Sequence, residues 1–198
     1  AFSPDGSWFV TVSNDRRVRV WDIATGRERI RMLQDSFVNK VQVSANGKWI
    51  ATTGSDKTSR VWNSATGAEI FQIPLGDSGT VLAFSADEKY LVSGDAGGEI
   101  AVWDISDIPA AINYLQFQGL TGDLQFSPSG EWLAASDENR VWFLDAAQLS
   151  TLTAIPNEPF LKLKSKVRNI VFSPDSKWLA VSTDTGDVIL RNVATRKD

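Results

Sequence analysis

The chain contains no histidine and no cysteine. Without either, no Ser-His or Cys-His nucleophile can be assembled. Disulfides and thiolate metal sites are excluded, and zinc is left with carboxylates alone. No stretch approaches 18 consecutive apolar residues, the length that marks a membrane-spanning helix. No basic segment followed by an apolar one opens the chain, so no signal peptide is visible. Neither sign of charge dominates: 20 Lys and Arg stand against 24 Asp and Glu, a net charge of −4. That balance speaks against a cationic nucleic-acid binder. No phosphate-cradling glycine loop, calcium loop or dinucleotide fingerprint is present. Catalysis would have to use Asp, Glu, Lys, Tyr or Arg, and no catalytic, cofactor-binding or metal-ligating residue is expected.

What the chain does have is repetition. FSPDGSW begins at Phe2, VSANGKW at Val43, FSADEKY at Phe84, FSPSGEW at Phe126 and FSPDSKW at Phe172. Successive copies lie 41, 41, 42 and 46 residues apart. A period of about 40–45 residues marks a blade-by-blade repeat. The units run over 1–42, 43–83, 84–125, 126–171 and 172–198, within one domain spanning 1–198.

The second unit shows the local logic. Ala45-Asn46-Gly47 is a tight turn, and its counterpart Ser3-Pro4-Asp5-Gly6 sets Pro before Gly, residues that favour turns. Trp49-Ile50-Ala51-Thr52-Thr53 and Thr58-Ser59-Arg60-Val61-Trp62 are rich in strand formers and flank the turn at Gly54–Lys57. Ala65-Thr66-Gly67 precedes the strand Glu69-Ile70-Phe71-Gln72-Ile73, and Gly97-Gly98 marks a hairpin in the third unit. Four short strands with frequent turns describe an antiparallel meander. Such a unit has two apolar faces and buries both only by stacking on neighbours around an axis. Trp8, Trp49, Tyr90, Trp132 and Trp178 open the second strand of each unit, and Trp21, Trp62 and Trp103 close the third. Their recurrence points to inter-blade packing.

Val20-Trp21-Asp22, Val61-Trp62-Asn63 and Val102-Trp103-Asp104 recur in phase with the turn phrase. The chain thereby resembles the WD-repeat (WD40-type) β-propeller family over essentially its whole length. The phrases Trp21–Gly26 and Ala45–Trp49 are similar to bacterial multidomain WD-repeat arrays. The resemblance implies an all-β fold, a propeller of four-stranded antiparallel blades with about five repeats, the first and last incomplete. It also implies that the chain, which opens inside a motif at Ala1 and stops near Asp198, is cut from a longer array, the alternative being a ring that closes in an unusual way. The family's buried set of Asp, His, Ser/Thr and Trp is expected not to form, since histidine is absent. Asp15 and Asp56 keep the Asp position; Gly97 and Glu138 replace it.

The fourth and fifth units drift furthest. Leu144 and Arg191 stand where Trp is expected. Trp142, two residues before Leu144 and so on the same strand face, is expected to fill the missing volume. Asp107-Ile108-Pro109 replaces the Ala-Thr-Gly turn, and Pro156 and Pro159 interrupt a long connection. Lys162, Lys164, Lys166 and Arg168 alternate and read as one face of an exposed outer strand protected by lysine; the alternative is a basic strip that grips phosphate or an acidic partner.

The resemblance implies a non-enzymatic protein–protein interaction module or scaffold, in the sensor or scaffold region of a larger bacterial signalling protein. Cytoplasmic localisation is expected, with no nucleic-acid or membrane partner. Partner contacts are expected on the face that carries the connections into the innermost strands: Asp35, Phe37, Asn39, Asp77, Thr121, Asp123, Arg168 and Asn169. Asp15, Asp56, Asp95 with Glu99, Asp137 with Glu138, and Asp184 with Asp187 ring the same face as turn residues. An acidic rim there would suit a basic partner or a cation. The alternative is a propeller hydrolase using two of these carboxylates. Self-association through exposed terminal blade edges is a third expectation.

Overall fold

The repeated serine explains the repeated turn. In a computed structural model of the chain, which describes residues 1–106, 110–116 and 122–195, with only the backbone of 110–114, the hydroxyls of Ser3, Ser44, Ser85, Ser127 and Ser173 accept the N–H groups of Trp8, Trp49, Tyr90, Trp132 and Trp178. The donor–acceptor distances are 2.8–3.1 Å. The residue two places after each serine accepts in turn from a backbone N–H inside the turn. Gly6, Gly47 and Gly130 take positive φ at the tip. Glu88 and Ser176 adopt the same left-handed angle without being glycine, at a cost of backbone strain. Each is also bonded across a seam, Glu88 accepting from Asn46 and Ser176 from the N–H of Ser129.

From these turns the chain builds five antiparallel sheets in strict sequence order. The first blade holds β1 (Trp8–Val12), β2 (Arg17–Asp22) and β3 (Glu28–Leu33), with a single bridge from Phe2 to Phe9 inside β1. The second holds β4 (Val38–Val43), β5 (Trp49–Gly54), β6 (Thr58–Asn63) and β7 (Glu69–Pro74). The third holds β8 (Gly79–Phe84), β9 (Tyr90–Asp95), β10 (Glu99–Asp104) and β11 (Ala110–Gln116). The fourth holds β12 (Leu124–Phe126), β13 (Trp132–Ser136), β14 (Arg140–Asp145) and the two-residue β15 (Leu161–Lys162). The fifth holds β16 (Val167–Phe172), β17 (Trp178–Thr183) and β18 (Val188–Asn192). Each strand-opening aromatic of the repeat begins a strand, as its spacing predicts.

Burial follows the stacking. Four apolar clusters fill the four seams between successive blades. In the first seam Trp8, Val10, Val18 and Val20 meet Ile50 and Trp62. In the second, Ala51, Val61 and Ile73 meet Leu91 and Trp103. One rule governs both: the third-strand Trp of each blade turns toward the blade before it. The innermost strands are further pinned by side chains that reach the next strand's backbone. Gln42 Oε1 accepts from Phe84 N at 3.3 Å, and Gln125 Oε1 accepts from Phe172 N at 2.8 Å.

The buried polar set forms without histidine, contrary to the sequence expectation. Trp62 Nε1 donates to Thr52 Oγ1 at 2.9 Å, and Thr52 Oγ1 donates to Gln34 Oε1 at 2.9 Å. Gln34 Nε2 then donates to Asp56 Oδ1 at 3.0 Å. A glutamine amide offers one donor group and one carbonyl acceptor, as a neutral imidazole offers one N–H and one lone pair. Gln34 arrives from the connection before β4, so the chain of bonds ties the first blade to the second. In the first blade Trp21 still donates to Thr11, but Asp15 pairs with Arg17 and Arg19 instead. In the third, Leu75 holds the Gln34 position, and the Ser93 hydroxyl is buried without a hydrogen-bond partner.

The fourth blade solves the same volume problem with apolar side chains. Leu144 pairs with Leu133, and Trp142 pairs with the small Ala135. All four lie in the cluster that faces the third blade, so Trp142 does occupy the seam from which the expected Trp is missing. Its Nε1 donates to Pro156 O at 3.1 Å, which anchors the long connection. That connection starts with a short 3-10 turn (Ala146–Gln148), and Leu149 is fully buried beneath it.

One expectation is corrected here. Lys162, Lys164, Lys166 and Arg168 do not share a strand face. Lys162 lies in β15, Lys164 and Lys166 in the connection after it, and Arg168 in β16. Two residues of β15 suffice to pair with Arg140 and Val141, and the chain then turns away toward the innermost strand. The Asp107-Ile108-Pro109 turn lies outside the described residues.

Candidate functional site: the connection face of the blades

The connections into the innermost strands are held against the hairpins between second and third strands. Gln34 N donates to Arg16 O, Ser55 N to Phe37 O, and Leu75 N to Lys57 O. Leu163 N donates to Asn139 O, and Asp184 N to Lys166 O. These bonds gather the connections and hairpins at one end of the strands, opposite the repeated serine turns. Phe37, Arg168, Asn169, Asp35 and Asp77 all belong to that end. Thr121 lies outside the described residues.

The candidates differ in what already holds them. Asn39 Nδ2 donates to Gly79 O at 2.8 Å and to Ser78 Oγ at 3.2 Å, stapling the second blade to the third. Asp123 does the same between the fourth and fifth: its Oδ2 accepts from Ile170 N at 3.1 Å and its Oδ1 from Leu124 N at 3.0 Å. Burial pushes the Asp123 carboxyl up, and the charge of Lys40 on the second blade acts against that rise. With a folded pKa above the unfolded one, Asp123 contributes most to stability at acid pH, and the contribution is lost as pH rises through the folded value. Asp35 reaches across the first seam to the buried Arg60, which also pairs with Glu69 at 3.0 Å. The Asp77 N–H donates to Asp95 Oδ2 at 2.8 Å, and its carboxylate caps Ser78 N.

Phe37, Arg168 and Asn169 are exposed. Phe37 is 52% exposed, unusual for a ring held on an ordered connection. Its carbonyl is fixed by Ser55 N, and Gly54 admits the close approach: a Cβ on Gly54 would lie 2.4 Å from that carbonyl oxygen. Arg168 occupies a bulge position in β16, between the Val167 and Asn169 pairings, which re-aims its side chain. Asn39 occupies the matching bulge in β4. The repeat therefore supplies a bulged side chain at this point of the innermost strand, used internally in the second blade and left exposed in the fifth.

The acidic hairpins are not a free rim. Asp15 pairs with Arg17 at 3.2 Å and with Arg19. Asp56 serves Gln34, Thr58 and Arg60. Asp95 is almost wholly buried and accepts from the N–H groups of Asp77 and Glu99. Burial, reinforced by the Asp95 charge, raises the Glu99 pKa. Asp137 is buried against Arg140. These bonds brace turns and seams. The arginines that neutralise Asp15, Asp56 and Asp137 follow two to four residues later, on the strand that leaves each hairpin.

Comparison with known proteins agrees with this architecture. The WD40 family model, described as WD domain, G-beta repeat, matches residues 1–22, 28–63, 76–104 and 157–190, more than half of the chain. The protein belongs to the WD40 family, whose members are generally non-catalytic interaction modules. The unmatched stretch between the last two segments contains β12 to β14, where Leu144 and Trp142 replace the repeat's Trp. Among curated proteins, Pre-mRNA-processing factor 19 of Dictyostelium discoideum is 25% identical over 107 residues. That alignment covers 52% of this chain and 20% of the relative, so the chain spans about a fifth of that protein's length. Among the described residues, no helix is long and apolar enough to cross a membrane.

Proposed function

We propose that residues 1–198 form one propeller unit acting as a non-enzymatic scaffold, with a protein partner bound at the connection face. The observation that carries this is Phe37: a half-exposed aromatic fixed on a rigid connection, beside the exposed polar groups of Lys40 and Asp35. Aromatic side chains on rigid supports supply large contact area and often carry interface energy. Arg168 and Asn169 extend the surface along the innermost strand of the fifth blade. Asp35, Asn39, Asp77 and Asp123 contribute through their backbones and remaining polar atoms while holding the blades in register. Thr121 belongs to the same proposal by its place in the repeat.

The wider setting rests on the sequence resemblance: a cytoplasmic segment of a larger bacterial signalling protein. Self-association is a further part of this reading. Phe2 in the first blade, and Val171 and Leu190 in the fifth, present apolar side chains to solvent, whereas Val61 and Val102, the counterparts of Leu190 in the second and third blades, are buried.

The test uses partners captured from a lysate of the source cells, with quantitative comparison of wild type and Phe37→Ala. We expect Phe37→Ala to reduce capture of specific partners about tenfold or more, the usual weight of an interface anchor, with an unchanged melting temperature. Unchanged capture together with a lower melting temperature would instead make Phe37 a loop-packing residue.

A further inference from the structure

We infer that the partner segment meeting the fifth blade on this face is acidic, and that Lys162, Lys164, Lys166 and Arg168 recognise it. The inference rests on the scaffold reading above and adds the partner's chemistry. Composition alone points the other way, since the chain carries a net charge of −4 and a ring of hairpin acids. The structure reverses that expectation locally. Asp15, Asp56 and Asp137 are committed to arginines, and Asp95 is buried. Lys162, Lys164, Lys166 and Arg168 are all exposed, and none makes an ion pair among the described residues.

An edge-protecting role does not account for them. Only Lys162 lies on an outer strand, and that strand is two residues long. Lys164 and Lys166 lie in the connection, and Arg168 lies at the bulge of the innermost strand. The run therefore crosses from the rim of the fourth blade to the axis-facing strand of the fifth. Lys162 and Lys164 border a cleft of about 420 Å³ whose wall includes the hydroxyls of Ser165 and Thr183 and the side chain of Asp187. The nearby acids are partly engaged: Asp184 accepts from Lys166 N at 3.1 Å, and Asp187 accepts from Thr185 Oγ1 at 2.9 Å. Glu138 is also close, since its carbonyl accepts from Val167 N; four cations against these three acids still leave a positive strip, suited to carboxylates of an extended segment. The strip has no aromatic ring among its exposed residues on which bases would stack, so an acidic protein segment is favoured over single-stranded nucleic acid.

The test titrates fluorescein-labelled octaglutamate into the whole chain by anisotropy at low salt. Lys164→Glu/Lys166→Glu is the test variant, since both residues are exposed on a connection, with melting temperature as the folding control. Lys48→Glu/Lys89→Glu, on the serine turns at the opposite end, is the charge-matched control. Expected is saturable binding, weakened on the order of tenfold in the test variant, unchanged in the control, and reduced by added salt. Absence of binding, or equal weakening in both variants, overturns the inference. So does a labelled oligothymidylate that binds more tightly than octaglutamate. If octaglutamate fails to bind while Phe37→Ala still abolishes partner capture, the scaffold reading stands and the acidic-partner inference falls.

Discussion

Replacing Gln34 with leucine is expected to destabilise the fold by about 3 kcal/mol, because two buried polar groups lose a partner at once. Gln34 is fully buried, and leucine roughly conserves its volume, so the loss is polar rather than a cavity. The Thr52 hydroxyl would keep its bond from Trp62 but lose its acceptor, and Asp56 would lose the amide that orients it. The third blade carries this arrangement natively: Leu75 stands in that position, and Ser93 is left without a hydrogen-bond partner. Gln34→His should recover most of the loss, since a neutral imidazole again offers one donor and one acceptor in line. Denaturant unfolding of the three proteins checks this. Equal stability of the leucine and wild-type proteins would show that the polar chain contributes nothing.

Gly79→Ala is expected to cost about 3 kcal/mol, by overpacking rather than by lost bonds. Gly79 is buried at the start of β8, where the third blade meets the second. A Cβ there would lie 1.7 Å from Thr53 Oγ1, 2.9 Å from Thr53 Cβ and 3.0 Å from Leu75 Cδ1. Relief by moving β8 outward would stretch the bond from Asn39 Nδ2 to the Gly79 carbonyl. Thr53 cannot rotate away freely, because its hydroxyl accepts from Ser59 and donates to Thr58 O. Thr53→Gly combined with Gly79→Ala moves the space to the opposite wall and should recover part of the loss. Additive losses in the double variant would place the clash elsewhere. Thermal or chemical unfolding measures both.

Most of the fold is legible in the sequence because the repeat carries its own chemistry. A Ser, a turn acid or amide (Ser129 in the fourth unit) and an aromatic ring at fixed spacing encode one hydrogen-bonded turn and one strand start, five times. The places that resist reading depend on residues far apart in sequence. The absence of histidine argues against the buried polar set, yet Gln34 stands 22 residues before Asp56 and 18 before Thr52, outside any local motif. The alternation of Lys162, Lys164, Lys166 and Arg168 resembles a strand because period two is the only local signal available. Pairing partners decide otherwise: only Leu161 and Lys162 find β14. Trp142 is readable because it shares a strand face with Leu144, a short-range relation.

The candidate surface is legible as a face but not as a set of contacts. Position in the repeat locates Phe37, Arg168 and Asn169 at the exposed end. It does not distinguish them from Asn39 and Asp123, whose side chains bond to the next blade's backbone 40 and 47 residues away. The neutralised hairpin acids are different: the arginine partners of Asp15, Asp56 and Asp137 stand only two to four residues on, so these ion pairs lie within reach of a local reading of the hairpins.

The scaffold reading turns on which end of the blades a partner covers. Amide hydrogen exchange on the partner-bound chain measures this directly. The account predicts new protection at residues 35–40, 75–80 and 163–169, with none at the serine turns 3–7, 44–48, 85–89 and 173–177. Protection confined to those serine turns would contradict it.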